Sequence, residues 1–185
     1  MNGFSSRAAL ALTAAAALSI GSAASAKNPM VGGAAMYPTR TIVQNALNSK
    51  DHTTLVAAVK AAGLVDTLSS KGPFTVFAPT NAAFARLPAG TVETLVMPEN
   101  KAMLTNILTY HVVSGRITAG QISSMAMRHH GTAALKTVQG QTLRFRKSGT
   151  GWVVIDSKGR QARITIPNVM QSNGVIHVVD KVLMP

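Results

Sequence analysis

The chain has 185 residues, is 46% hydrophobic and 13% charged, contains no cysteine, and carries a formal net charge of +12. That length suits one domain, and the absence of cysteine excludes disulfide scaffolds, zinc fingers, iron–sulfur clusters and cysteine nucleophiles. Only six carboxylates are present, so mechanisms built on paired acids or a hard-cation cage have few residues to draw on, and the composition points away from an enzyme.

Residues 1–26 open with one cation, Arg7, ahead of an apolar run from Ala8 to Ile20, and end in Ala24-Ser25-Ala26. As a helix that run spans about 20 Å, short of the roughly 30 Å hydrocarbon core. The pattern predicts a cleavable secretory signal and a protein exported to the periplasm or the cell exterior, not one that spans the membrane. Residues 27–40, with two prolines and Gly32-Gly33, predict a flexible leader, and residues 41–185 a single domain.

The domain begins with helical patterning. Ile42, Val43, Ala46 and Leu47 form one stripe, and Leu55, Val56 and Val59 form another, with Asp51 or Thr53 as the expected cap and Gly63 as the stop. A short turn follows at Leu64–Leu68. Phe74–Ala78 reads as a strand held between Pro73 and Pro79. Thr80 or Asn81 caps the next helix, and further helices are expected at Thr91–Val96 and Pro98–Leu108. Beyond Tyr110 the texture turns to strands. Thr142–Arg146 alternates polar and apolar residues, Ser148–Gly151 is a hairpin turn, and strands are expected at Trp152–Ile155, Ala162–Ile166 and Val175–Val182. Helices first and strands later is an α+β arrangement.

Three segments carry a resemblance. Gly72–Phe84 (GPFTVFAPTNAAF), Tyr110–Val113 (YHVV) and Asn173–Pro185 (NGVIHVVDKVLMP) are similar, in order and spacing, to the motifs of fasciclin domains. Within them Phe74, Val76, Phe77 and Phe84 read as buried area, Pro79 and Thr80 as a helix approach and cap, Asn173 and Gly174 as a turn tolerant of positive φ, and His177 as part of a strand covered on both faces. The resemblance implies a β-sheet wedge with helices packed on one side, helices mainly in the N-terminal half. It also implies a secreted, non-enzymatic adhesion or surface-interaction module without a cofactor. Its contact region would lie near Tyr110, His111, Asn168 and Val169. Some animal members bind integrins through an Asp-Ile pair at the positions of Asn168 and Val169. An amide does not ligate a divalent cation as a carboxylate does, which argues against an integrin partner. Other members carry carotenoids, so a second reading is an extracellular carrier of a carotenoid or lipid, in a groove lined by Met97, Met103 and Leu104.

Two residue clusters stand outside these motifs. Met125-Ala126-Met127-Arg128-His129-His130 gathers thioether and imidazole groups, but Arg128 sits among them and a helix end followed by a loop is the simpler reading, so no metal site is assigned. His111 and His177 likewise read as buried imidazoles bonded to backbone or to a carboxylate such as Asp180. Between Arg128 and Arg163 the only acid is Asp156. Arg144, Arg146, Lys147 and Arg163 form a candidate patch for an acidic polysaccharide or another anionic surface of an envelope or matrix, by charge attraction that salt screens. Nucleic acid is not an expected partner, because the few aromatics are needed in the core and leave no stacking platform. Hydrolase, protease and phosphate-loop motifs are absent from the sequence.

Overall fold

The computed structural model describes residues 28–185; the predicted signal at 1–26 lies outside the described residues. The chain enters through a hairpin of two short strands, β1 (Met30–Val31) and β2 (Ala34–Ala35). Gly32 and Gly33 join them with φ of 58° and 75°, the left-handed pair that a tight hairpin requires. Val31 and Met36 are buried in the core. The expectation of a leader outside the core is therefore corrected: Gly32-Gly33 turns the chain back so that the apolar residues on either side pack.

Thr41 caps α1 (Ile42–Asn48) in a capping box with Gln44. A 3₁₀ turn at Lys50–His52 leads into α2 (Thr53–Ala62), which has His52 at its N-cap position and no side-chain cap, so neither Asp51 nor Thr53 plays the expected role. Gly63 ends α2 at φ 71°, its N–H bonded to the Lys60 carbonyl. Then come α3 (Val65–Ser69), β3 (Phe74–Pro79), α4 (Asn81–Phe84) and α5 (Thr91–Leu95). Thr80 caps α4 as expected, its hydroxyl accepting from the Ala83 N–H at 3.2 Å. A 3₁₀ turn at Pro98–Asn100 precedes α6 (Lys101–Tyr110). The second half holds β4 (Val112–Ser114), α7 (Ala119–Arg128), β5 (Thr132–Lys136), β6 (Thr142–Ser148), β7 (Gly151–Ile155), β8 (Gln161–Gln171) and β9 (Gly174–Val179).

Seven strands form one sheet in the order β4-β3-β9-β8-β7-β6-β5. Only β3 and β9 pair in parallel. The two ends of this order nearly meet: Val113 bridges Thr137, and the Val138 N–H donates to the Val112 carbonyl at 2.7 Å. The sheet thus curls into a wedge with an interior.

Two hydrophobic cores follow from this shape. Outside the curl, Val76, Ala78, Ile176 and Val178 pack against α1, α2 and α6 through Ile42, Leu55, Val59 and Leu104. Inside it, Phe77, Tyr110, Phe145, Val154 and Val179 pack with Ile122 of α7. Strands β3 and β9 are buried on both faces, which is why their sequences run apolar without alternation. The helices lie mainly in the N-terminal half, as the sequence predicts.

Candidate functional site

The residues of the fasciclin-like motifs are held by hydrogen bonds that explain their identity. Asn173 does not take the positive φ expected of it. Its buried amide instead ties three segments: Oδ1 accepts from the Ile42 N–H at 2.9 Å, and Nδ2 donates to the Leu68 and Ser70 carbonyls, both at 2.8 Å. Nor does Gly174 take a positive φ. A Cβ there would overlap the Phe74 carbonyl oxygen, so close backbone approach between β3 and β9 is what requires glycine. A second buried amide pair, Asn45 Nδ2 to Gln171 Oε1, joins α1 to the end of β8.

The two motif histidines are structural in geometry. His111 accepts from the Leu183 N–H at Nε2 (3.0 Å), so Nδ1 carries the proton and donates to the Ile107 carbonyl (2.8 Å). Burial holds its pKa down at about 4, against weaker upward pulls from the Ile107 carbonyl and the Asp156 charge. His177 is locked in the opposite tautomer: Nδ1 accepts from the Asn168 N–H (3.3 Å) and Nε2 donates to the Ile117 carbonyl (2.9 Å). Its ring stacks on Phe77 at 5.5 Å, and burial lowers its pKa as well. Neither ring bonds Asp180, the carboxylate named as an expected partner. That group accepts from the Arg163 N–H and faces Arg86.

The expected contact region is not brought to the surface. Tyr110 is 0%, His111 2% and Val169 0% exposed. Tyr110 Oη accepts from the Ser157 N–H at 2.8 Å. The apolar character that makes these residues conspicuous in sequence is used for packing. Of the four, Asn168 alone is exposed. It lies in the irregular stretch of β8 between Ile164 and Val169, has φ 58°, and accepts from the Ala119 N–H at 2.8 Å, so it fastens the start of α7. In the Met125–His130 stretch, Met125 packs on the inner core while Met127, His129 and His130 are exposed at the helix end. The groove expected from Met97, Met103 and Leu104 does not form, since both methionines are exposed and Leu104 is buried in the outer core. An apolar cavity does lie beneath α1 and α2, lined by residues such as Ala46, Val56, Leu68 and Leu108, but its volume is about 40 Å³.

The basic residues do gather, with one rearrangement. Arg144 and Arg146 are exposed on the outer face of β6, opposite in sense to the buried Leu143 and Phe145. Register places Arg146 against Val153, and Val153 against Arg163. Cross-strand partners share a face, so the two arginines flank one valine on the outer surface. Val153 belongs to neither core, yet it is only 6% exposed, as expected when long cationic side chains cover apolar surface with their stems. Lys136 continues the outer face on β5 beside Thr142. Lys147 does not belong to this face: period-two alternation turns it away from Arg146 and pairs it with Trp152. Among the described residues, the carboxylate ion pairs are Arg86–Asp180 and Arg160–Asp156. Arg144, Arg146 and Arg163 thus stand on the surface with no acidic partner.

This wedge and its motif packing define the family. A fasciclin domain model matches residues 50–185, and the chain belongs to the fasciclin domain family. Protein sll1483 of Synechocystis sp. is 48% identical over 161 residues, covering 86% of this chain and 81% of that protein. Immunogenic protein MPB70 of Mycobacterium bovis is 37% identical over 145 residues, covering 76% of this chain and 66% of that one. Among solved structures, the FAS1 domain pair from the insect cell adhesion molecule Fasciclin I superposes with a TM-score of 0.70 at 19% identity. That likeness covers 79% of this chain, which spans about half the length of the pair (51%), and it carries the fold.

Proposed function

We propose that this chain is an exported, non-catalytic surface-interaction module that holds acidic polysaccharide of an envelope or matrix on the outer face of β6–β8. The observation that carries the reading is the set of Arg144, Arg146 and Arg163 on one exposed face, with none of the three guanidiniums paired to a carboxylate. Three guanidiniums on a rigid sheet offer forked donors at fixed spacing, which suits carboxylate or sulfate groups repeated along a polymer. Membership of the fasciclin family supports an adhesive role, and the similar Fasciclin I is described as a cell adhesion molecule. The apolar, singly charged segment ahead of Ala26 supports export. The cavity beneath α1 and α2 lends no support to a carrier, because about 40 Å³ holds roughly one or two waters.

Chromatography on an immobilised sulfated polysaccharide tests this. The double variant Arg144→Ala/Arg146→Ala should elute at clearly lower salt than the parent, and the parent's retention should itself collapse as salt rises. Equal elution salt for both proteins would remove the reading.

A further inference from the structure

A second feature lies at the mouth of the curled sheet, next to the cationic face. The β6–β7 turn and the irregular part of β8 enclose an open depression of about 710 Å³, bordered by Ser148, Thr150, Trp152, Arg163, Thr165 and Pro167. Its size is within the range of small-ligand sites. Trp152 is the chain's one tryptophan. It packs partly on the inner core and is held in strand β7, so its ring is a rigid wall that stays half-open to solvent. Arg163, fixed through its backbone N–H to Asp180 Oδ1 at 2.7 Å, has no carboxylate partner for its guanidinium.

We infer that this depression binds one acidic sugar unit of a polysaccharide. The inference rests on the polyanion reading above and names the unit recognised. The chemistry of the lining selects it. An indole face takes the apolar C–H face of a pyranose ring. The hydroxyls of Ser148, Thr150 and Thr165 both donate and accept, matching the sugar's own hydroxyls. The Arg163 guanidinium takes a ring carboxylate through paired N–H donors. The pairing of β7 with β8 ends at Val153–Arg163, so the depression lies in the gap beyond it, between Trp152 on the inner side and Arg163 on the outer. A polymer seated there by one uronate continues onto the arginine surface beside Val153 and Arg146 without leaving the protein.

The single tryptophan makes the test direct. Trigalacturonic acid titrated into the full chain should shift Trp152 emission saturably and release heat in calorimetry at the same midpoint. Arg163→Ala should weaken both by about tenfold, as the loss of a charge-assisted pair predicts, and Arg163→Lys should recover part of the loss. The backbone bond to Asp180 survives both changes, so folding is retained. Maltotriose, the neutral comparator, should give no response. No emission or heat change with trigalacturonic acid, an equal response in Arg163→Ala, an equal response to maltotriose, or an equal response to a triglutamate peptide would each overturn the inference. If polysaccharide retention still falls in Arg144→Ala/Arg146→Ala while the Trp152 response is absent, the sugar pocket fails and the cationic face stands. If retention is also unchanged, both fall together.

Discussion

Asn173 shows how one side chain fixes a fold. Its amide meets a helix N-terminus and two carbonyls at once, and the bonds to Ile42 and Leu68 are buried, so truncation strips the partner from two buried backbone groups and from the half-buried Ser70 carbonyl. Asn173→Ala should therefore lower unfolding free energy by about 3 kcal/mol or more, read from urea denaturation. The histidines give a residue-scale pH dependence. His111 has its ordinary pKa near 6.5 when unfolded and about 4 when folded, so the unfolded chain binds the proton more readily. Stability should be level above pH 6.5 and fall as pH drops from 6.5 towards 4, by about 2–3 kcal/mol for this group. Burial shifts His52 and His177 the same way. Urea denaturation at pH 7.5 and 4.5 checks it, and a flat profile would contradict the neutral tautomers. These roles were only partly legible. The motifs marked Asn173 and Gly174 as a turn, and Ser172-Asn173 is the two-residue turn between β8 and β9. The bonds of the Asn173 amide were not legible, because a sequence does not display what a side chain will meet a hundred residues away. Tyr110 and His111 were conspicuous for the same reason that they are hidden: a polar atom on a large ring serves a packed interior as well as an interface.

Among the elements, strands with clean signatures were read closely, β3 at Phe74–Pro79 and the β6–β7 hairpin above all. Strand β5 carries little signal in sequence: Thr132-Ala133-Ala134-Leu135 has little β-branched or aromatic content and is a strand by virtue of its pairing with β6. The β1–β2 hairpin reads in sequence as a leader because of its flanking prolines, although Gly-Gly between short apolar runs is itself a hairpin signal. Its contribution is measurable. Met36 is among the largest fully buried side chains, and Met36→Ala should cost about 2–5 kcal/mol by the same denaturation assay, whereas a true leader would lose nothing. At the start of α7, Thr118 and Gln121 form a capping box. Thr118→Ala should cost about 1 kcal/mol, visible as a lowered Tm, and should also loosen the loop that His177 grips through Ile117.

At the scale of the molecule, β3 and β9 belong to both cores, with Val76 and Ile176 facing the helices and Phe77 and Val179 facing the interior of the wedge. Neither core can melt without exposing the back of these strands. Trp152 emission, which reports the inner core, and far-UV circular dichroism, dominated by the helices of the outer one, should give coincident unfolding transitions; separated midpoints would mean that the halves are independent. The net charge was readable from composition and the shared face of Arg144 and Arg146 from the alternation of Thr142–Arg146, but the place of Arg163 across Val153 was not, since strand pairing decides it. The bridge between Val113 and Thr137 has one more consequence. By bringing the first and last strands together, it occupies the backbone edge at Val112, Val113, Thr137 and Val138, where a visiting strand could otherwise be added. A strand adding to the sheet at this seam would have to displace a native pairing, which protects the molecule there from edge-to-edge association.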